Sequence, residues 1–219
     1  MRVVIVRPRR ALLLLLVVVL AGAATIAIPA IRASILRTAG RALVVDEPIE
    51  PADVIVVTVD AGAAGVLEAA DLVRSGTATR VAVFGEPPEA TGRELMRRGV
   101  PYESPADRSI RQLRTLGVPT IEQIPSPVDG TEDEGRVLQD WCGQRRIRSV
   151  VVVTNPDHSR RLGRVLHRAM DGHQTKVMVR FARYSQFDPD RWWQTRAGSR
   201  TGIIELEKLL LDFARHPIA

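Results

Sequence analysis

Ser149–Thr154 reads SVVVVT, and the polar run Asn155-Pro156-Asp157-His158-Ser159-Arg160-Arg161 follows it without a break. A short, continuous β-branched run with no polar alternation is the pattern of a strand buried on both faces, as in a parallel sheet covered by helices. Beyond the polar run, Leu162, Val165, Leu166 and Ala169 fall at i, i+3, i+4 and i+7, which predicts an amphipathic helix. Strand, polar turn and helix make the repeating unit of an α/β sheet.

The same unit recurs on both sides. Val54-Ile55-Val56-Val57-Thr58-Val59 is a second buried-strand pattern. Gly62 and Gly65 follow it, then a helical stretch through Leu67, Ala70, Leu72 and Val73 that stops at Gly76. Val81-Ala82-Val83-Phe84 predicts the next strand, with helices around residues 92–98 and 105–116 and a short strand over Ile121–Ile124. Thr131 opens a helix with Val137, Leu138 and Trp141 on one face. Downstream, Lys176–Phe181 predicts the final strand, and Ile203, Ile204, Leu206, Leu209, Leu210 and Phe213 give a closing amphipathic helix. This alternation predicts an α/β domain over residues 51–219, built on a doubly wound, mostly parallel sheet.

The first 50 residues differ in kind. Ala11–Ile31 runs for 21 residues without a charge (ALLLLLVVVLAGAATIAIPAI), enough as a helix for the roughly 30 Å of a bilayer's hydrocarbon. Residues 1–10 read as a basic flank and residues 32–50 as a juxtamembrane linker ending in an acidic, proline-containing stretch. The expectation is one transmembrane helix over residues 11–31. A cleavable signal peptide ending near Ala21-Gly22-Ala23 fits less well, because the apolar run continues until arginines stop it. Four arginines before the span and three after it favour a domain on the extracytoplasmic side of the cytoplasmic membrane, with the membrane as a partner.

Charge narrows the function. The seven arginines of residues 1–41 face no acid there, so the rest of the chain sets 24 bases (31 less 7) against 25 acids. A nearly neutral domain lacks the basic footprint of a non-specific nucleic-acid binder, and no nucleic acid is expected as partner. One cysteine, Cys142, excludes a disulfide within this chain and a zinc site built on cysteines. No metal is expected, and the sequence identifies no cofactor.

In open parallel sheets, ligands bind past the carboxyl ends of the strands, where loops enter helix N-termini. The loop Asp60-Ala61-Gly62-Ala63-Ala64-Gly65 is small enough for backbone amides to approach an anion, so Asp60, Gly62 and Gly65 are candidate ligand contacts. A tight turn needs the same small residues. Gly85-Glu86-Pro87-Pro88 reads as a plain turn. Thr131 and Glu134 have the spacing of a capping box, but a carboxylate so placed can instead orient a substrate or act as a general base. The run from Thr154 to Arg161 is the most informative. A polar cluster directly after the most apolar strand is costly for packing alone. Thr154 and Asn155 are candidate ligand contacts, His158 a candidate acid/base and Arg161 a grip for phosphate or carboxylate. The plain alternative is that Asn155 or Asp157 caps the helix and the basic groups face solvent. His167, His173 and His216 read as surface residues, and Trp192-Trp193 as packing for the last helix.

Several segments carry a family resemblance. They are Pro51-Ala52-Asp53-Val54-Ile55-Val56-Val57 with its small-residue loop, Gly99-Val100-Pro101, the Thr131-x-x-Glu134 helix start and Val152-Val153-Thr154-Asn155-x-x-His158-x-x-Arg161. With a hydrophobic N-terminal segment and the tail Trp192-Trp193 … Glu205-x-x-Lys208-Leu209, the chain resembles the SanA/YdcF/ElyC-type envelope family, domain of unknown function 218. The resemblance implies a Rossmann-like sheet, a pocket at Thr131, Glu134, His158 and Arg161, and a role in cell-envelope or peptidoglycan-related biology. Two positions depart from it. The first loop lacks the family's consecutive glycines, and Pro125 and Gly130 stand where acidic and Asn residues are usual.

The leading expectation is therefore a membrane-anchored, enzyme-like protein for a small anionic envelope metabolite, phosphorylated or nucleotide-linked. His158, Glu134 and Arg161 would be its catalytic residues. The alternative, motivated by the altered first loop, is a non-catalytic binding or regulatory module for an envelope partner.

Overall fold

A computed structural model describes residues 27–217. Five strands, β1 (Val54–Val57), β2 (Arg80–Val83), β3 (Thr120–Gln123), β4 (Ser149–Thr154) and β5 (Lys176–Phe181), form one sheet in the order β3-β2-β1-β4-β5. Every pair is parallel, with Val54–Val57 of β1 in register with Val150–Val153 of β4. The described helices are α1 (Pro29–Ala42), α2 (Gly62–Arg74), α3 (Ala90–Arg97), α4 (Pro105–Thr115), α5 (Thr131–Arg145), α6 (Pro156–Ala169) and α7 (Arg196–Arg215). A short 3-10 turn, Trp192–Gln194, precedes α7.

The apolar central strands β1 and β4 suit this sheet because successive side chains enter opposite cores. Val54, Val56, Val150 and Val152 pack against Leu138 of α5 and Leu162 and Leu166 of α6. Ile55, Val57, Val151 and Val153 pack against Val66 and Ala69 of α2 and Leu113 of α4. Burying each such side chain contributes roughly 1.5–3 kcal/mol. From β1 the connections wind outward through β2 to β3, and from β4 they wind outward the other way to β5. The topological switch therefore lies between β1 and β4, and the loops leaving those two strands diverge around a crevice.

The expectation of a transmembrane helix over residues 11–31 is corrected. No helix among the described residues is long and apolar enough to cross a membrane. Residues 11–26 of the expected span lie outside the described residues. At its far end Pro29 begins a helix instead of closing one, since its fixed φ and missing N–H suit the first helical position. α1 then carries Arg32, Arg37 and Arg41, and its 14 residues span only about 21 Å. The placement of the domain on the outer side of a cytoplasmic membrane falls with the span.

Residues 32–50 are also more than a linker. Trp192 donates its indole N–H to Leu36 O at 2.8 Å, and Arg41 pairs with Asp190 at 2.7 Å. Leu36, Ala39 and Leu43 join Phe187, Trp192 and Leu209 in a third small core. Gly40 makes this docking possible, because a Cβ there would stand 2.5 Å from the Trp192 ring. Past α1, Arg160 of α6 donates to Ala42 O and Val44 O, and Ser159 Oγ accepts from Val45 N–H.

α7 turns a different face inward from the one its apolar pattern predicts. Its buried residues are Gly202, Glu205, Leu209 and Asp212, whereas Ile203 and Leu210 are 58% and 68% exposed. The reason lies on α6. Arg161 meets Glu205, and Arg164 and Arg168 both meet Asp212, so charge pairing joins the two helices.

Candidate functional site

The loops at the switch point enclose a cleft of about 450 Å³. Its wall combines Asp60 from the loop after β1, Thr131 and Glu134 from the start of α5, Asn155, His158 and Arg161 from α6, and Glu205 and Lys208 from α7. Four segments far apart in sequence thus supply one site, because each begins or passes at the carboxyl edge of the sheet.

Asp60 sits at the centre of the crevice. Thr58 Oγ1 donates to its Oδ1 at 2.6 Å, and Thr154 Oγ1 approaches the same oxygen at 3.3 Å. Asn155 is the N-cap residue of α6, but its side chain does not cap. It donates instead to Asp60 O at 2.7 Å, tying the two diverging loops together.

Thr131 and Glu134 do not form a capping box. Gly130 is the N-cap of α5, with φ +98, and Thr131 is the first helical residue. Such a φ is open to glycine and strained for other residues. Gly130 supplies no side-chain cap, and Gly130, Thr131 and Glu134 at this helix start line the cleft. Thr131 Oγ1 accepts from Arg161 Nη1 at 2.8 Å and lies 3.4 Å from His158 Nε2.

Arg161 holds the site together. Its Nε donates to Glu205 Oε2 at 3.0 Å and its Nη2 to Glu205 Oε1 at 3.3 Å. Lys208 donates to Glu205 Oε1 at 2.8 Å, and His158 Nδ1 lies 3.3 Å from Oε2. Burial alone would raise the Glu205 carboxyl, but the hydrogen bonds from His158 and Lys208 outweigh it and hold the pKa at about 2. Burial disfavours the charged His158 ring as well, yet Asp60 and Glu205 hold its pKa above the ordinary value, against the nearby Arg161 charge. His158 Nδ1 also lies 2.9 Å from Arg161 Nη2, so the ring is fixed between the guanidinium and the Glu205 carboxylate with Nε2 facing Thr131.

Across the cleft the carboxyls behave differently. Burial, reinforced by Asp60, raises Glu134 to about 7, and burial raises Asp157 to about 6. Glu86 is raised by burial and then by Glu89, Asp129 and Asp60. The cleft thus joins the cations Arg161 and Lys208 with two carboxyls, Glu134 and Asp157, poised to exchange protons near neutral pH.

Of the residues singled out from the sequence, Asp60, Thr131, Glu134, Asn155, His158 and Arg161 line the cleft. Thr154 is buried behind Asp60. Gly62 and Gly65 are not among the lining residues. Gly65 serves packing, since a Cβ there would lie 2.4 Å from the Ala61 Cβ. Sequence reasoning did not single out Asp157, Glu86, Glu205 or Lys208 as site residues. The signal for the last two is a charged pair at i, i+3 set among Ile203, Ile204, Leu206 and Leu209.

Fold and cleft together define the class: a doubly wound α/β protein with a polar cleft at its topological switch point. No protein-family model, curated protein or solved structure matches the chain.

Proposed function

We propose that the cleft binds and turns over a small, phosphorylated, hydroxyl-rich molecule. The convergence of Arg161, Lys208 and Thr131 at the uncapped amino end of α5 carries this reading. Arginine, ammonium, hydroxyl and open amides are together the chemistry of phosphate recognition. Asp60 and Asp157, which also line the cleft, suit hydroxyl donors. His158, oriented by Glu205 and with its pKa raised, serves as the acid, and Glu134, with its carboxyl near 7, as the base. The family resemblance of the Thr131-x-x-Glu134 and His158-x-x-Arg161 segments supports an envelope metabolite as the source of the anion.

A thermal-shift screen of the full chain against sugar phosphates, nucleotides and S-adenosylmethionine tests it. The expected result is stabilisation by a phosphorylated probe that Arg161→Ala removes and His158→Gln keeps, with turnover lost in His158→Gln. Stabilisation that survives in Arg161→Ala, or no response to any phosphorylated probe, overturns the reading. Binding without turnover by the unsubstituted chain identifies a binding module instead.

A further inference from the structure

A second cleft of about 460 Å³ shares Thr131, Arg161 and Lys208 with the first. These three residues form a ridge between two lobes of nearly equal size. The first lobe holds Asp60 and Asp157, and the second is bounded by Leu211, Arg215 and His216 of and beyond α7. A terminal phosphate on the ridge, with its organic group in the first lobe, would leave the second lobe unused.

The geometry points to a ligand whose phosphate carries substituents on both sides, a phosphodiester or a diphosphate-bridged molecule, with the bridge on the Thr131–Arg161–Lys208 ridge and one substituent in each lobe. This rests on the phosphate reading of the first cleft and adds the second half of the ligand. The ridge retains donors for the bridge. Arg161 Nη1 gives one N–H to Thr131 and Lys208 gives one to Glu205, which leaves one and two, respectively.

A divalent cation fits the second lobe less well. Glu132, Asp212 and His216 bring ligand atoms within 4.8 Å of one another. Both carboxylates are already bound by arginine, however, with Arg168 3.1 Å from Glu132 and 2.9 Å from Asp212, and Arg164 2.5 Å from Asp212. Apart from Leu211 every residue lining the lobe carries a charged or hydrogen-bonding group beside its apolar stem, which suits a nucleoside or sugar substituent better than an acyl chain.

Calorimetric titration of the full chain with glucose 1-phosphate and with uridine diphosphate glucose tests the inference, because the two probes share a sugar and differ in the second substituent. The diphosphate-bridged probe is expected to bind at least tenfold more tightly. Leu211→Trp, which fills the second lobe, should bring its affinity down to that of glucose 1-phosphate without changing the latter. Arg215→Ala, a milder change at the same lobe, should weaken only the bridged probe. Equal affinities, or variants that weaken both probes alike, overturn the two-sided ligand while leaving the phosphate reading intact. Binding of neither probe overturns the two-sided ligand, and the phosphate reading falls with it when no other phosphorylated probe of the thermal-shift screen binds.

Discussion

His158 Nδ1 lies 3.3 Å from Glu205 Oε2, across 47 positions of sequence. Both side chains are nearly buried, and Arg161 bonds the same carboxylate. The Glu205 carboxylate is taken up by Arg161, Lys208 and the ring, so its part is to orient His158 and favour its charged form, as a carboxylate does for an imidazole in acid/base sites generally.

Replacing Glu205 with Gln keeps the shape and removes the charge that favours the imidazolium. The His158 pKa is then expected to fall, which a histidine ring proton titration by NMR reads directly. An unchanged or raised value would show that Glu205 does not support the charged ring.

Glu134 makes stability depend on pH in a defined direction. Its folded pKa, about 7, stands above the ordinary 4.5. Below pH 4.5 the carboxyl is neutral in both states. As pH rises from 4.5 to about 7 the unfolded chain loses this proton while the folded chain keeps it, so stability falls and then levels off. Glu134→Gln lacks that fall and should gain about 3 kcal/mol relative to the unsubstituted chain between pH 4.5 and 8. Urea unfolding at both pH values measures it, and a pH-independent difference would refute the assignment.

The inward face of α7 separates neighbouring leucines. Leu209 is 4% exposed and Leu210 is 68% exposed. Leu209→Ala should cost about 2–5 kcal/mol and Leu210→Ala no more than about 0.5 kcal/mol. Denaturant midpoints of the two variants decide it, and equal losses would contradict the placement of the helix.

Gly65→Ala should destabilise by about 1–3 kcal/mol through overpacking. The added Cβ meets the Ala61 Cβ at 2.4 Å and Val57 Cγ1 at 3.0 Å. Phosphate-probe binding measured by calorimetry should persist in the folded fraction, because Gly65 does not line the cleft. Loss of binding at unchanged stability would place the anion at the first loop after all.

Much of the domain is legible in the chain because its signals are local. The valine run of β4 and the β-branched run of β1 need burial on both faces, and the punctuation at Gly76 and Gly130 sets where helices stop and start. The polar run after Thr154 marks the site, since a switch-point loop follows the most buried strand. The helix start at Thr131 was legible as well, but the capping-box pattern assigned Thr131 and Glu134 to each other. The fold assigns Thr131 to Arg161 and His158 and turns Glu134 into the cleft.

Other features depend on contacts between distant segments, which no local pattern contains. The apolar periodicity of α7 points to Ile203 and Leu210, but arginines on α6 draw Glu205 and Asp212 inward, because buried carboxylates are tolerated only where cations meet them. Residues 32–42 read as a linker until Gly40 lets α1 settle against Trp192. The sequence by itself determined the strands, the parallel winding and half of the site, through periodicities of two and 3.6 and the cost of burying polar groups. Only the tertiary structure decided which carboxylate orients His158, because that choice depends on α7 crossing α6 at one register and bringing Glu205 to Arg161.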